Sequence, residues 1–123
     1  MTISASLHHA HLFATDLAAS IRFYRDMFGA EIVFDETVAG ARNVLLRLGQ
    51  AQLNFYEQPP KDGGRGAVHH LGIRTNDLHG LVAHMRSKGF EFRKPITDIG
   101  TLRYVMAMAP DGVLLELFET SAF

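Results

Sequence analysis

A chain of 123 residues, 47% of them hydrophobic, is the size of one domain and can bury a core of its own. It has no cysteine, which excludes disulfides, zinc–thiolate sites and thiol nucleophiles. A formal net charge of −1 gives no electrostatic reason to expect nucleic acid or an anionic membrane as a partner, and no apolar run approaches the roughly 18 residues of a spanning helix. The opening residues lack the basic flank and apolar core of a signal peptide, so the expected compartment is the cytoplasm.

The first predicted element is a strand, Leu7 to Thr15, in which side chains alternate. Thr15 or Asp16 caps the helix that follows. Its apolar stripe is Leu17, Ile21, Tyr24 and Phe28, and Gly29 stops it. Three strands are predicted next, near Ile32–Phe34, Val44–Leu48 and Gln52–Tyr56. The Pro- and Gly-rich stretch from Pro59 to Gly66 breaks both helix and strand and reads as a linker. Beyond it the order repeats. A strand at His70–Thr75 leads to a helical stripe of Leu78, Leu81, Val82 and Met85, with Gly89 behind it. Strands are then expected near Phe90–Arg93, Leu102–Met108 and Val113–Phe118.

This is one pattern twice. His9 and His70 are 61 positions apart, as are Asp16-Leu17 and Asp77-Leu78, while Asn54 to Glu57 matches Glu116 to Glu119 at an offset of 62. The expected fold is α+β, with two βαβββ repeats (about 5–58 and 67–120) pairing their sheets into one concave mixed sheet, because a half this small could hardly bury a core alone.

Alternation along a strand separates the faces. Leu71, Ile73, Leu115 and Leu117, with Leu53 and Phe55 in the first copy, should lie under the helices. His9, His11, His70, Asn54, Tyr56, Glu116 and Phe118 should then face the concavity. Two imidazoles and a carboxylate on one cleft have the composition of a 2-His-1-carboxylate site with open positions, and His9, His70 and Glu116 are the candidate ligands. These donors suit a divalent metal because they offer lone pairs without first losing a high-pKa proton. A buried unpaired Glu116 is costly, and a cation would remove that cost. His11 shares the face of His9, although its counterpart in the second copy is Gly72. His8, His69, His79 and His84 read as ordinary exposed polar side chains.

Three segments carry a family resemblance. They are His9 to Tyr24 with Gly29 behind it, His70 to Leu78, and Pro110-Asp-Gly-Val-Leu-Leu-Glu116-Leu. With them the chain resembles, over nearly its whole length, the vicinal oxygen chelate superfamily. That group includes glyoxalase I, methylmalonyl-CoA epimerase, fosfomycin-resistance thiol transferases, extradiol dioxygenases and bleomycin-binding proteins. The resemblance implies that His9, His70 and Glu116 bind one divalent metal ion per site, with Fe, Mn, Ni, Co and Zn all compatible. The fourth family position falls on Asn54, where glyoxalase I usually has glutamate and the epimerases often glutamine.

The activity implied is that of a metal-dependent lyase or isomerase. Its substrate would be a small α-oxygenated carbonyl compound, chelated through two neighbouring oxygens and passing through a stabilised enolate. Glu116 is the candidate catalytic base. Asn54, Tyr56, Arg103, Phe118 and His11 are the candidate substrate-binding residues, and Arg42 is matched to Arg103 at an offset of 61. The alternatives are an Fe(II) ring-cleaving dioxygenase and a non-catalytic binding or resistance protein of the bleomycin-binding type. The resemblance also implies a homodimer that exchanges repeats across the linker, with clefts shared between subunits, although the linker would also permit a closed monomer.

Overall fold

Each helix begins at an aspartate. Asp16 has extended backbone angles, and its carboxylate accepts a hydrogen bond from the Ala19 N–H at 3.0 Å. Asp77 does the same for the Gly80 N–H at 2.9 Å. These side chains satisfy N–H groups that the first helical turn leaves without partners. Helix α1 therefore runs Leu17–Phe28 and ends at Gly29, whose φ of 70° is the left-handed cap that glycine adopts without a Cβ penalty. Helix α2 runs Leu78–Ser87.

The computed structural model describes residues 3–61 and 66–121. The chain divides into two compact units, Met1–Lys61 and Asp62–Phe123. The first unit contains β1 (Ala10–Ala14), α1, β2 (Glu31–Val38), β3 (Ala41–Leu48) and β4 (Ala51–Glu57). The second contains β5 (Leu71–Arg74), α2, β6 (Thr97–Asp98), β7 (Leu102–Met108), a 3-10 turn at Pro110–Gly112 and β8 (Leu114–Thr120). Each unit builds a four-stranded sheet, in the orders β1-β4-β3-β2 and β5-β8-β7-β6. The β1–β4 and β5–β8 pairings are parallel and the others antiparallel, so both sheets are mixed and the βαβββ order occurs twice.

In each unit one sheet face carries the helix. Leu17, Ile21 and Tyr24 of α1 are buried over Val44, Leu46, Leu53 and Phe55, and the Tyr24 and Phe55 rings lie 5.5 Å apart. Leu78, Val82 and Met85 of α2 are buried with Val105, Ala107, Leu115 and Leu117. Each set is a continuous apolar layer between helix and sheet, which is where the stability of so small a unit resides. The opposite face of each sheet is free for polar residues.

Three predicted boundaries move. The first strand starts at Ala10 rather than Leu7, and the fifth at Leu71 rather than His70, so His9 and His70 each stand one residue ahead of a strand. In the first unit Gln52 turns its side chain onto His8, reaching the imidazole Nε2 at 2.8 Å and the carbonyl at 3.3 Å. The strand expected at Phe90–Arg93 does not form, and a two-residue β6 at Thr97–Asp98 takes its place. Phe90 and Phe92 meet edge-to-face with ring centroids 4.8 Å apart, and the Arg86 guanidinium of α2 sits 5.6 Å from the Phe92 ring, so this segment is held by packing on the helix. Pro95, with no N–H to give a ladder, delays pairing until it has passed. Residues 62 to 65 of the predicted linker lie outside the described residues. No described helix is long and apolar enough to cross a membrane.

Candidate metal centre

The second unit brings two of the candidate ligands together. β5 and β8 are parallel neighbours, with Gly72 opposite Glu116 and Arg74 opposite Phe118. Leu115 and Leu117 are fully buried beneath α2, so alternation sends Glu116 and Phe118 to the free face. The Pro110–Gly112 turn fixes that phase. Asp111 and Gly112 have φ of 62° and 73°, left-handed angles that Asp and Gly tolerate best. The Ala109 N–H closes the turn on the Val113 carbonyl at 2.8 Å. His70, just ahead of β5, places Nε2 3.9 Å from Glu116 Oε2, with the two side chains 34% and 26% exposed. Its Nδ1 lies 2.8 Å from His69 Nδ1. A separation of 3.9 Å is just inside the span of two metal bonds of about 2.1 Å each and wider than the roughly 3.4 Å of a tetrahedral ligand pair, so a small side-chain rotation would let both reach one divalent ion.

In the first unit the matching region is built differently. His11 on β1 stands opposite Asn54 on β4, and Phe13 opposite Tyr56. His11 Nδ1 is 2.6 Å from Asn54 Oδ1, and the His11 ring meets the Tyr56 ring edge-on at 4.5 Å. The Asn54 amide nitrogen donates to Asn43 Oδ1 at 2.9 Å and to the Val44 carbonyl at 3.4 Å. His9, ahead of β1 and exposed, has Nδ1 2.9 Å from His8 Nδ1. Among the described residues no three His, Asp or Glu side chains are grouped so as to hold a metal ion.

The two arginines stand elsewhere. Arg103 shares its face with Val105 and Ala107, because it pairs in register with Glu119, whereas Tyr104 and Met106 pair with Phe118 and Glu116. It is on the helix-bearing side, where Nε donates to Asp98 Oδ2 at 3.0 Å and Nη1 to Glu119 Oε2 at 2.7 Å. Arg42 lies on the helix-bearing side of its own sheet, bound through two nitrogens to Asp35 at 3.0 and 2.8 Å. The structure therefore does not bring Arg103 or Arg42 to the faces of Glu116 or Asn54. These pairs hold Asp35 and Asp98 below the usual aspartate pKa. For Asp35 the main cause is the Arg42 hydrogen bond, and for Asp98 it is the Gly100 backbone N–H followed by Arg103.

Sequence reasoning missed Asn43, only 9% exposed and the anchor of the Asn54 amide, and Tyr104, which pairs with Phe118. Both depend on strand register, which periodicity does not supply.

The family model described as Glyoxalase/Bleomycin resistance protein/Dioxygenase superfamily matches residues 6–117. The uncharacterized protein YaeR of Escherichia coli (strain K12) is 29% identical over 123 residues, covering 92% of this chain and 95% of YaeR. The mitochondrial methylmalonyl-CoA epimerase of Dictyostelium discoideum is 23% identical over 128 residues, covering 92% of this chain and 77% of the epimerase. Among solved structures, the fosfomycin resistance protein FosX from Listeria monocytogenes matches with a TM-score of 0.78 at 16% identity, covering 98% of this chain and 97% of FosX. That likeness shows a common fold. A further FosX crystal structure, with a TM-score of 0.76 at 16% identity and covering 98% of this chain and 96% of FosX, contains Mn(II) and sulfate.

Proposed function

Since the chain belongs to the Glyoxalase/Bleomycin resistance protein/Dioxygenase superfamily, we propose that it is a metal-dependent vicinal oxygen chelate enzyme, a lyase or isomerase acting on a small α-oxygenated carbonyl compound. The observation that carries this reading is the pairing of His70 Nε2 with Glu116 Oε2 at 3.9 Å on the free face of the second sheet. His9 is the third donor, by its correspondence to His70 in the repeat. Imidazole and carboxylate suit Fe, Mn, Ni, Co and Zn alike, and the Mn(II) in FosX supports a metal of this group. When bound, the metal supplies Lewis acidity toward two neighbouring substrate oxygens.

The chain's own residues do the rest. Glu116 has both neighbours buried and its side chain partly exposed, so the carboxylate oxygen not engaged by a metal can accept or return a proton on the free face. Phe118, Tyr104 and Met106 surround it on the same face and give the substrate an apolar wall. Tyr56 plays that part in the first repeat. The likeness to an epimerase supports chemistry at a carbon acid next to a carbonyl.

The test is exchange of a substrate α-proton with solvent deuterium. The protein, loaded with each candidate metal, is incubated with a panel of α-hydroxy carbonyl compounds and acyl thioesters. Metal-dependent exchange that is lost in Glu116→Gln is the expected result. No exchange from any panel member by metal-bearing protein would contradict the enzymatic reading and favour a binding protein.

A further inference from the structure

We propose that His11 is itself a metal-ligating histidine, through Nε2, and that Asn54 is the residue that orients it rather than a ligand. This rests on the metal-dependent reading above and concerns the residues of the first repeat alone.

The Asn54 carboxamide has a defined orientation. The Val44 carbonyl can only accept a hydrogen bond, so the Asn54 group that faces it and Asn43 Oδ1 is the nitrogen. Asn54 Oδ1 therefore faces His11. An amide oxygen can only accept, so His11 Nδ1 at 2.6 Å carries the proton and donates. Neutral imidazole has one N–H, which leaves the lone pair on Nε2. Among the described residues no hydrogen bond engages Nε2, and the His11 side chain is exposed.

A neutral histidine whose Nδ1–H is fixed by a carbonyl oxygen, with Nε2 open, is the arrangement in which proteins present imidazole to metals. Here the brace is two residues deep. Asn43, nearly buried, holds Asn54, and Asn54 holds His11. The Tyr56 ring, edge-on at 4.5 Å, fixes the imidazole plane.

The same network removes Asn54 from candidacy as a ligand. Its oxygen is committed to His11 at 2.6 Å, and its nitrogen has no lone pair to give. The second repeat shows the contrast. There Glu116 occupies the position of Asn54, and Gly72 that of His11. A Cβ at Gly72 would lie 3.3 Å from the Phe118 ring, so a histidine would not fit there without moving that ring. Each repeat thus has room for a different donor: a carboxylate on the last strand of the second, and an imidazole on the first strand of the first. His9, one residue ahead of β1, and His11 on it are two residues apart.

Co(II) alone is the probe. In the proton NMR spectrum of the Co(II) protein, each ligated histidine gives one strongly shifted exchangeable N–H resonance. The proposal expects one such resonance from His11, and its loss in both His11→Ala and His11→Gln. It also expects Co(II) affinity to fall in Asn54→Ala by about 10- to 100-fold, the usual consequence of removing a ligand's orienting partner, with no resonance lost. The His11 N–H should then exchange faster with water. Unchanged affinity and an unchanged count in both His11 variants would overturn the proposal. So would loss of binding in Asn54→Ala with His11→Ala unaffected, since that would make Asn54 the ligand. His70→Ala separates the two claims. If it abolishes binding while the His11 variants do not, the metal site stands and this inference falls. If no variant changes Co(II) binding, both fall.

Discussion

Arg103 and Glu116 sit on hydrogen-bonded neighbouring strands, yet their side chains leave opposite faces of the sheet. One position of register decides whether a residue can meet a substrate on the face of Glu116 or serves the scaffold. Arg103 serves the scaffold: it ties Asp98 of β6 to Glu119 of β8, and Glu119 in turn accepts the Leu78 N–H at the start of α2 at 2.8 Å. A carboxylate whose pKa is lowered in the fold contributes stability above its unfolded pKa, and loses that contribution as pH falls through the lowered value. For Asp98 this window lies below about pH 4. Arg103→Ala should raise the Asp98 pKa toward its ordinary 3.8 without reaching it, because the Gly100 N–H, the larger cause, remains. Carboxyl-detected NMR titration measures this directly, and an unchanged Asp98 midpoint would show that Arg103 does not hold it down.

Helices were the most legible elements because their signals are local. Asp16 and Gly29 bracket α1 in the sequence as they do in the structure, and Leu17, Ile21 and Tyr24 mark its buried side. Since Asp16 supplies a cap bond to the Ala19 N–H, Asp16→Ala should cost about 1 kcal/mol. Asp16→Ser, which keeps an acceptor, should recover most of it. Chemical denaturation of the two variants checks the claim, and equal loss in both would show that the cap is not what the aspartate provides. Strand ends were less legible because pairing is not local. The apolar alternation around Phe90 and Phe92 resembles a strand, but their rings are used against each other and against Arg86 of α2. His70 alternates with Leu71 in sequence, yet the β5 ladder begins only at the Leu71–Leu115 pairing.

At the scale of the whole molecule, duplication made the arrangement readable. Two βαβββ repeats, with Leu53 and Phe55 matched to Leu115 and Leu117, fixed which faces carry helices and therefore which could carry a site. Glu116 was visible because β8 alternates cleanly, and His70 because it stands directly ahead of β5. The Asn43–Asn54–His11 chain was not, because it crosses three strands and needs their register. The proposed function rests on a bound divalent metal ion with His70 and Glu116 among its ligands. Native mass spectrometry of the protein from its own host, purified without chelator, tests this most directly. The expected result is a particle carrying about one divalent metal per site, with the metal lost in His70→Ala. Folded particles that carry no metal, and take up none when Mn(II), Co(II), Ni(II), Zn(II) or Fe(II) is supplied, would contradict it.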